Sequence, residues 1–222
     1  MDTITYAAAI TLYNPLQDYI ENVIAYSTFF PYVIVNDNTS GEPPYRNILE
    51  AIPNIIYFGD GTNMGLPVAF NRSLQWSREH HIDYLCTLDQ DSKLGKEETN
   101  AIIAFIESNK DDNTAIVAPS PLFLGIPDHS YDDSHGFVEE VNWTICSGSF
   151  LNVKLLFEND IKYDEAYFVD RFDADLSRQI YNKGYKQLIL HNVRMPHILG
   201  DAGEHSALRN YYIFRNRLYF NN

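Results

Sequence analysis

The sequence predicts an α/β fold with a mainly parallel central sheet. Short apolar runs of β-compatible residues alternate with amphipathic stretches of helical spacing, which is the pattern of strands joined by helical crossovers. Polar clusters directly follow three of these strands, after Leu12, after Val35 and after Leu88. Because ligands of parallel sheets bind beyond the carboxyl ends of the strands, we expect these clusters to converge on one site.

Four strands and four helices are predicted to alternate in the first half of the chain. The first strand is apolar almost throughout, as expected of a strand buried on both faces, and Asn14-Pro15 marks the start of the helix that follows. Gly65 precedes the third helix. The predicted strands are residues 3–12, 32–35, 54–58 and 82–88, and the predicted helices are residues 15–28, 44–51, 66–79 and 96–109.

The second half is less regular. A strand at 114–118 is followed by a long loop at 119–136, and loops of that length in compact domains are often functional. A helix that ends near residue 182 and a strand at 186–190 precede a terminal helix at 206–220. Its apolar stripe predicts a face packed on the core, and a helix lying at a membrane surface is the alternative.

Composition bounds the class of protein. A chain of 222 residues, 45% hydrophobic and 21% charged, fits a soluble globular protein with a substantial core. It has no apolar run of the roughly 18 residues that a membrane span needs and no signal peptide, so we expect a cytoplasmic protein. A net charge of −14 argues against a nucleic-acid partner. The two cysteines, Cys86 and Cys146, are expected to be reduced thiols.

The strand at 82–88 ends in two carboxylates, Asp89 and Asp91. Side chains two residues apart in an extended chain point to the same side, so both could face one cleft if the strand geometry continues past Leu88. Carboxylates are preferred ligands of Mg²⁺ and Mn²⁺, which complete their shells with water and substrate phosphates. The alternative is that the two residues only cap the next helix.

An acidic protein repels a phosphorylated substrate unless a metal or a basic patch intervenes. A patch of this kind is present near the end of the chain, where arginine, but no lysine, is concentrated. The arginine fork suits bidentate phosphate binding, although a basic helix end would have the same composition. The basic residues of this patch are Arg194, His197, His205, Arg209, Arg215 and Arg217.

Several common motifs are missing from the sequence. No G-x-G-x-x-G follows the first strand, and no G-x-x-x-x-G-K-[ST] phosphate loop is present, which disfavours dinucleotide and P-loop functions. Ser147 and Ser149 do not form G-x-S-x-G, which disfavours an α/β-hydrolase.

Seven short segments occur along the chain in a specific order and spacing. Each segment alone is a weak family motif, but the order and spacing of all seven are specific. The seven segments are Val35–Ser40, Asn63–Asn71, Leu88–Ser92, Cys146–Ser149, Phe168–Asp175, His197–Gly200 and Arg209–Asn216. Together they resemble family 2 glycosyltransferases, most closely the bacterial rhamnosyltransferase-like branch, over nearly the whole chain. The resemblance implies a GT-A fold, a Rossmann-like α/β/α sandwich. It also implies one domain over 1–222, with a nucleotide-binding half at 1–118 and an acceptor-binding and catalytic-base half at 119–222.

The resemblance implies a nucleotide-diphosphate sugar, a dTDP- or UDP-sugar, as the donor. In the family pattern Asp37 would bind the base, and Asp89 would bind the ribose or base side of the nucleotide. The residues expected to bind the nucleotide-sugar are Asp37, Asn38, Asn63, Gly65, Asn71, Asp89, Arg209 and Arg215. Asp91 would be the ligand of a Mn²⁺ or Mg²⁺ cofactor, with Asp89 and His197 as further candidate ligands.

The catalytic base of inverting members aligns best with Asp173. Phe172 stands where the family commonly has Glu, so Asp170 is a rival for that role. The acceptor would be a saccharide or lipid-linked saccharide. The residues expected to contact the acceptor are Trp143, Ser147 and Gly148.

Two other functions fit parts of the pattern. One is a catalytically silent nucleotide-sugar-binding domain, and the other is a nucleotidyltransferase, which also uses an α/β sheet and a carboxylate-bound metal. The sequence has no basic glycine-rich loop near its start for a triphosphate, which disfavours the second. Peripheral membrane contact through the C-terminal helix, at the inner face of the plasma membrane, is a further expectation.

Overall fold

A computed structural model describes residues 3–109, 111–123, 137–197 and 207–221. Within these ranges the chain forms one eight-stranded sheet with helices on both faces. The strands are β1 (Tyr6–Leu12), β2 (Val33–Asp37), β3 (Ile55–Phe58), β4 (Tyr84–Asp89), β5 (Thr114–Phe123), β6 (Val138–Val141), β7 (Ser149–Asn152) and β8 (Lys186–His197). The helices are α1 (Gln17–Ser27), α2 (Arg46–Glu50), α3 (Leu66–Glu79), α4 (Lys96–Ser108), α5 (Val153–Glu158), α6 (Phe172–Asn182) and α7 (Ala207–Asn221).

The sheet has the strand order β3-β2-β1-β4-β7-β5-β8-β6. The first four strands in that order are mutually parallel, and β7 pairs antiparallel with both of its neighbours. β5 and β8 pair in parallel, and β6 adds an antiparallel edge. The mainly parallel sheet predicted from the sequence is therefore confirmed.

Two apolar clusters, one on each face of the sheet, make the protein a three-layer α/β/α sandwich. β1 contributes to both because its alternate residues point to opposite faces, with Ile10 in one cluster and Ala9 in the other. Helices α1, α2 and α4 cover the first face, and α3, α5 and α6 cover the second. The uninterrupted apolar sequence of β1 reflects this burial on both sides.

The strands of the second half are longer than predicted. β5 runs to Phe123, so the first residues of the expected loop 119–136 are strand, and residues 124–136 lie outside the described ranges. β8 runs to His197 rather than ending at Leu190. The extra length comes from pairing between β5 and β8, which resumes after a register shift at Pro119/Ser120. The short strands β6 and β7 and the short helix α5 were not predicted.

The prediction that the stripe on the terminal helix packs on the core is wrong for its most apolar residues. Leu208, Tyr211 and Leu218 are 61%, 58% and 70% exposed, and Phe214 is 68% exposed. Among the described residues of α7, the one buried side chain is that of Asn216. The helix docks through Asn216 and through ring contacts of Tyr212 with Phe168 and of Tyr219 with Tyr167, and its other large apolar side chains point outward. None of the helices in the described ranges is long and apolar enough to cross a membrane.

Candidate active site

A cavity of about 550 Å³ opens at the carboxyl ends of β1 and β4, where the sequence predicted a site. We call it the strand-end cavity. Its walls come from the ends of these strands, the start of α3, the segment that leads into α6, and α7. Its polar side chains include Asn38, Asn63, Asp89, Asp91, Asp173 and Arg209.

The two carboxylates after β4 reach this cavity by a turn, not by continued strand geometry. β4 ends at Asp89, whose N–H donates to Ser92 Oγ at 2.9 Å, while Ser92 N–H donates to the Asp89 carbonyl at 3.1 Å. The turn brings Asp91 to the same cavity as Asp89. The side chain of Gln90 accepts a hydrogen bond from Tyr13 N–H at 2.9 Å and so ties this turn to the end of β1.

The strand-end cavity concentrates negative charge. Burial, together with the nearby Asp91 and Asp173 carboxylates, raises the pKa of Asp89 to about 7. The thiol of Cys146 donates to Asp89 Oδ1 at 3.9 Å, and burial, followed by the charges of Asp89 and Asp173, raises the pKa of that thiol as well. Carboxylates this close in a buried setting favour a bound cation or proton.

The donor set in this cavity fits a divalent cation that takes two protein carboxylates and draws its other ligands from water or phosphate. In the ranges described above, no group of three or more His, Cys, Asp or Glu side chains is arranged to hold a metal ion. Asp89 and Asp91, in contrast, line one cavity and repel one another. The predicted ligand His197 ends β8, and its side chain lies outside the described part of the chain.

The loop before α3 forms another wall. Asn63 Oδ1 accepts from Gly65 N–H at 3.0 Å, and Asn38 Nδ2 donates to the Gly65 carbonyl at 3.1 Å. Gly65 has φ +84°, and a Cβ built there would lie 2.7 Å from the carbonyl oxygen of Phe168. Leu66 N–H donates to that same carbonyl at 2.7 Å. Glycine therefore lets this loop approach the segment that leads into α6.

Gly65→Ala tests this close approach. The added Cβ meets backbone that cannot move freely, and φ +84° is unfavourable for alanine, so we expect a loss of about 2–4 kcal/mol in the free energy of unfolding. Urea denaturation measures it. Gly184→Ala is the matched control because Gly184 has φ +79° with no atom within 4 Å of the added Cβ. Equal losses in the two variants would contradict the role of the contact.

Asp170 and Asp173 lie side by side in the wall formed by the start of α6. Burial raises the pKa of Asp173, although its Oδ1 accepts from Ala174 N–H at 2.8 Å. Asp170 Oδ1 is 3.7 Å from an Arg209 nitrogen, and no hydrogen-bond partner is found in the described chain for its buried Oδ2. Both predicted base candidates are thus present, and a raised pKa makes Asp173 a stronger proton acceptor than an ordinary carboxylate.

The backbone that carries these acids is held in an unusual conformation. Phe168, Asp170 and Arg171 have φ of +64°, +59° and +67°, in the left-handed region that side chains other than glycine rarely adopt. Such residues cost free energy and persist only where the surroundings hold them. These positive φ angles indicate that neighbouring contacts hold the segment from Phe168 to Arg171 in the conformation that forms this wall of the cavity.

Asn216 on α7 holds this segment. Its Nδ2 group donates to the carbonyls of Tyr167 and Asp170, both at 2.9 Å, and to that of Val169. Its Oδ1 accepts from Arg215 Nε at 2.9 Å. The side chain of Asn216 is 0% exposed, and its bond to the Tyr167 carbonyl is buried. Sequence reasoning did not select Asn216; its only signal was a place in the terminal Arg–Asn segment.

Arg215 was expected to bind the nucleotide-sugar, and the structure directs it elsewhere. Its guanidinium donates to the carbonyls of Ala166 and Tyr167 and lies over the ring of Tyr212, with Cζ 4.7 Å from the ring centroid. Arg209, six residues earlier on α7, does line the strand-end cavity. Of the two predicted arginines, the fold therefore brings only Arg209 to this cavity.

Asp37 and Asn71 also lie outside the walls of the cavity. Asp37 is 2% exposed, and its two carboxylate oxygens accept from Thr39 N–H and from the hydroxyl of Tyr57, each at 2.9 Å. Asn71 braces the loop before α6, since its Nδ2 donates to the carbonyl of Tyr163 at 2.8 Å and its Oδ1 accepts from Tyr163 N–H at 3.0 Å. Both shape the surroundings of the site.

Of the three residues predicted to contact the acceptor, Trp143 is the accessible one. Ser147 is 1% exposed and shares a hydrogen bond with the Ser92 hydroxyl. Gly148 has φ +80° and packs so closely that a Cβ would lie 2.8 Å from the sulfur of Met195. Small residues are needed here because the chain itself, and not a ligand, approaches closely. Trp143 is 50% exposed.

A second cavity, of about 740 Å³, lies on the other side of the two acids. We call it the aromatic cavity. It shares Asp170, Arg171 and Asp173 with the strand-end cavity. Its aromatic and basic side chains are Trp143, Tyr181, Phe220, Arg171, Arg178 and Arg217. The two base candidates therefore lie between two cavities, each large enough to hold a ligand.

Comparison with known proteins was made for sequence and for fold. No protein-family model matches the chain. Among curated proteins, the dTDP-rhamnosyl transferase RfbF of Shigella flexneri is 28% identical over 245 aligned positions, which cover 97% of this chain and 79% of that protein.

Solved structures of similar fold include GalNAc-T7 with UDP, GalNAc and Mn²⁺, with a TM-score of 0.70 and 16% identity over 95% of this chain and 47% of that one. TarS from S. aureus in complex with UDP-GlcNAc has a TM-score of 0.68 and 18% identity over 91% of this chain and 60% of that one. The chain thus spans roughly half of the length of these solved proteins. The solved structures confirm the GT-A fold. The similarity to RfbF confirms the resemblance to a rhamnosyl transferase and supports a glycosyltransferase that moves a sugar from a nucleotide sugar.

Proposed function

We propose that this GT-A chain is an inverting glycosyltransferase that moves a sugar, rhamnose by its similarity to the Shigella protein, from a nucleotide diphosphate to an acceptor hydroxyl in bacterial polysaccharide or glycolipid synthesis. One observation carries the proposal. Asp170 and Asp173 lie in the wall shared by two cavities, one lined by strand-end acids and loop amides and the other by exposed aromatic residues. A base between a donor and an acceptor needs that placement.

The donor would occupy the strand-end cavity. Asn38 and Asn63 present amides along its wall, and Arg209 supplies a positive charge in the same cavity. Ordered loop amides with a guanidinium suit the polar, negatively charged nucleotide-sugar. In this division the nucleotide is held mainly by residues 1–118 and the acceptor mainly by residues 119–222, as the resemblance implies.

The chemical step would be a single displacement. A carboxylate, Asp173 first and Asp170 as its rival, accepts the proton of the acceptor hydroxyl. The hydroxyl oxygen forms a bond to the anomeric carbon as the bond from that carbon to the diphosphate oxygen breaks, and the diphosphate leaves with the electron pair. Arg209 stabilises the charge on the departing group. Inversion follows because attack and departure occur on opposite faces of the sugar.

A divalent cation, Mn²⁺ or Mg²⁺, would be held by Asp91 and Asp89 and would supply positive charge to the diphosphate. The raised pKa of Asp89 supports this, because a buried carboxylate crowded by Asp91 and Asp173 is stabilised in its charged form by a nearby cation. GalNAc-T7, which shares the fold, was solved with Mn²⁺.

Thermal denaturation with UDP, dTDP or GDP, each with and without Mn²⁺, tests the donor site. We expect one diphosphate to raise the melting temperature by about 5–10 °C at a hundred times its Kd, and to need the metal for the full shift. Asp91→Asn should remove the metal-dependent part, and Asp18→Asn, at an exposed position on α1, should leave it intact.

Three results would count against the donor proposal. A shift of equal size without metal would contradict the proposed role of the cation in nucleotide binding. The absence of a shift with every diphosphate would contradict the proposed donor site itself. A shift without sugar transfer to any acceptor would indicate a silent nucleotide-sugar-binding domain.

The outward stripe of α7 supports a second part of the proposal, contact with the inner face of the plasma membrane. The stripe consists of large apolar and aromatic side chains that the fold leaves exposed, and the helix has no acidic residue. An exposed apolar helix face of this kind can lie in the surface of a bilayer. We expect the protein to sediment with vesicles of phosphatidylglycerol, and Phe214→Ser together with Leu218→Ser to lower the bound fraction at least about fivefold. Binding unchanged in that double variant would contradict this assignment.

A further inference from the structure

We propose that the aromatic cavity binds the acceptor as an anionic saccharide, a sugar that carries a phosphate ester or a carboxylate beside the reacting hydroxyl. The inference rests on the proposed transfer reaction and adds the charge of its acceptor. The evidence for it is the set of arginine and aromatic side chains that line this cavity, and the contacts that fix the positions of the arginines.

Three arginines line the aromatic cavity, although the chain as a whole has a net charge of −14. Arg171 directly precedes α6, Arg178 lies on α6, and Arg217 lies on α7. The cavity also contains the two base candidates, and Arg178 is paired with Asp175, which leaves Arg171 and Arg217 to meet an anion. These two guanidinium groups place positive charge at the cavity in a chain that is acidic as a whole.

The aromatic ring of Phe220 orders two of these arginines. The Cζ atoms of Arg178 and Arg171 lie 4.1 Å and 5.9 Å from the centroid of that ring. Arg178 also donates to the Phe220 carbonyl and to Asp175 Oδ1, each at 2.6 Å. An arginine placed in advance loses less side-chain entropy when it binds an oxyanion, and its planar fork matches a phosphate or a carboxylate.

Aromatic side chains on the walls supply the sugar-binding component. Trp143 and Tyr181 are 50% and 58% exposed, and both line this cavity. An exposed aromatic ring offers a flat apolar surface on which the C–H face of a sugar ring can pack, while its hydroxyls stay available to polar groups. The reacting hydroxyl would then lie near Asp173, with the anionic group directed toward the arginines.

Trp143 also provides a reporter for a direct binding test. The chain has two tryptophans, and the second, Trp76, stacks on His80 at a centroid distance of 3.9 Å on α3, outside the walls of the aromatic cavity. In a Trp76→Phe background, the remaining tryptophan fluorescence reports on the proposed acceptor site alone. The probes are glucose 1-phosphate, glucuronate, uncharged methyl glucoside and inorganic phosphate.

Each probe is titrated with and without a saturating nucleoside diphosphate, which blocks the strand-end cavity. We expect a saturable change in fluorescence with glucose 1-phosphate or with glucuronate, at least tenfold tighter than with methyl glucoside. The better of these two probes identifies the anion as phosphate or carboxylate. Arg217→Gln should weaken this binding about tenfold or more, whereas Arg46→Gln, the same charge change at an exposed pair with Glu50, should not.

Several outcomes would overturn the inference. These are equal affinity for methyl glucoside, equal effects of the two arginine variants, binding of inorganic phosphate as tight as that of the sugar phosphate, or no response to any sugar in fluorescence and in saturation-transfer NMR. If such a result appears while a nucleoside diphosphate still raises the melting temperature, the acceptor assignment fails and the proposed donor function stands. If no diphosphate binds, the proposed function fails separately.

Discussion

Replacing Asp173 with Asn is expected to lower kcat about 10²–10⁴-fold, the range that general-base catalysis contributes. The amide keeps the size of the side chain and its position at the start of α6 but cannot accept the proton of the acceptor hydroxyl. Binding of the nucleoside diphosphate should change little, because the proton transfer occurs on the acceptor side of the wall. Initial rates of nucleotide release and thermal shifts with the nucleotide measure the two effects separately.

Asp170→Asn is the comparison that assigns the base. Asp170 lies in the same wall, where Arg209 is 3.7 Å away and competes for its carboxylate, whereas burial raises the pKa of Asp173. We expect the larger loss in the Asp173 variant. A near-normal rate in Asp173→Asn together with a severe loss in Asp170→Asn would move the role to Asp170.

Replacing Asn216 with Asp is expected to cost at least about 3 kcal/mol of unfolding free energy and to lower the melting temperature by roughly 6–12 °C. The change is nearly isosteric, yet it removes the Nδ2 group that donates to the carbonyls of Tyr167, Val169 and Asp170. It would also place a second acceptor against those carbonyls in a position that is 0% exposed. Urea and thermal unfolding measure the loss.

The same variant should lower the rate of transfer at temperatures where it remains folded. The segment from Phe168 to Arg171 carries Asp170 and leads into Asp173, and its left-handed conformation depends on the bonds from Asn216. Asn182→Asp, at an exposed position at the end of α6, is the control for the charge change. Normal kcat in the folded Asn216 variant would show that the clamp serves stability alone.

Much of the fold followed from the sequence because it depends on local patterns. Strand β1 is apolar on both faces, and α3 begins and ends at the predicted residues, since hydrophobic period and turn residues act over a few neighbouring positions. The position of Asp89 at the cavity also followed, because parallel strands bring their carboxyl ends to one edge of the sheet, whereas a turn that was not predicted brings Asp91 there.

Contacts between distant segments could not be predicted in the same way. The bonds from Asn216 to the segment before α6 join positions 46 to 49 residues apart, and no spacing in the sequence encodes them. The length of β8 depends on pairing with β5, and the outward direction of the α7 stripe depends on which side of that helix docks. For this reason Arg215 looked like a donor ligand in the sequence but binds backbone carbonyls in the fold.

For this protein, the sequence by itself determined the alternation of strands and helices, the acids at the strand ends and the resemblance to glycosyltransferases. These features depend only on short-range periodicity and on the order of motifs. Only the tertiary structure decided which polar residues face a cavity and which brace the backbone. Whether an arginine, asparagine or aspartate binds a ligand depends on partners that folding brings from far along the chain. The two cavities that meet at Asp170 and Asp173 are the main result of that long-range packing.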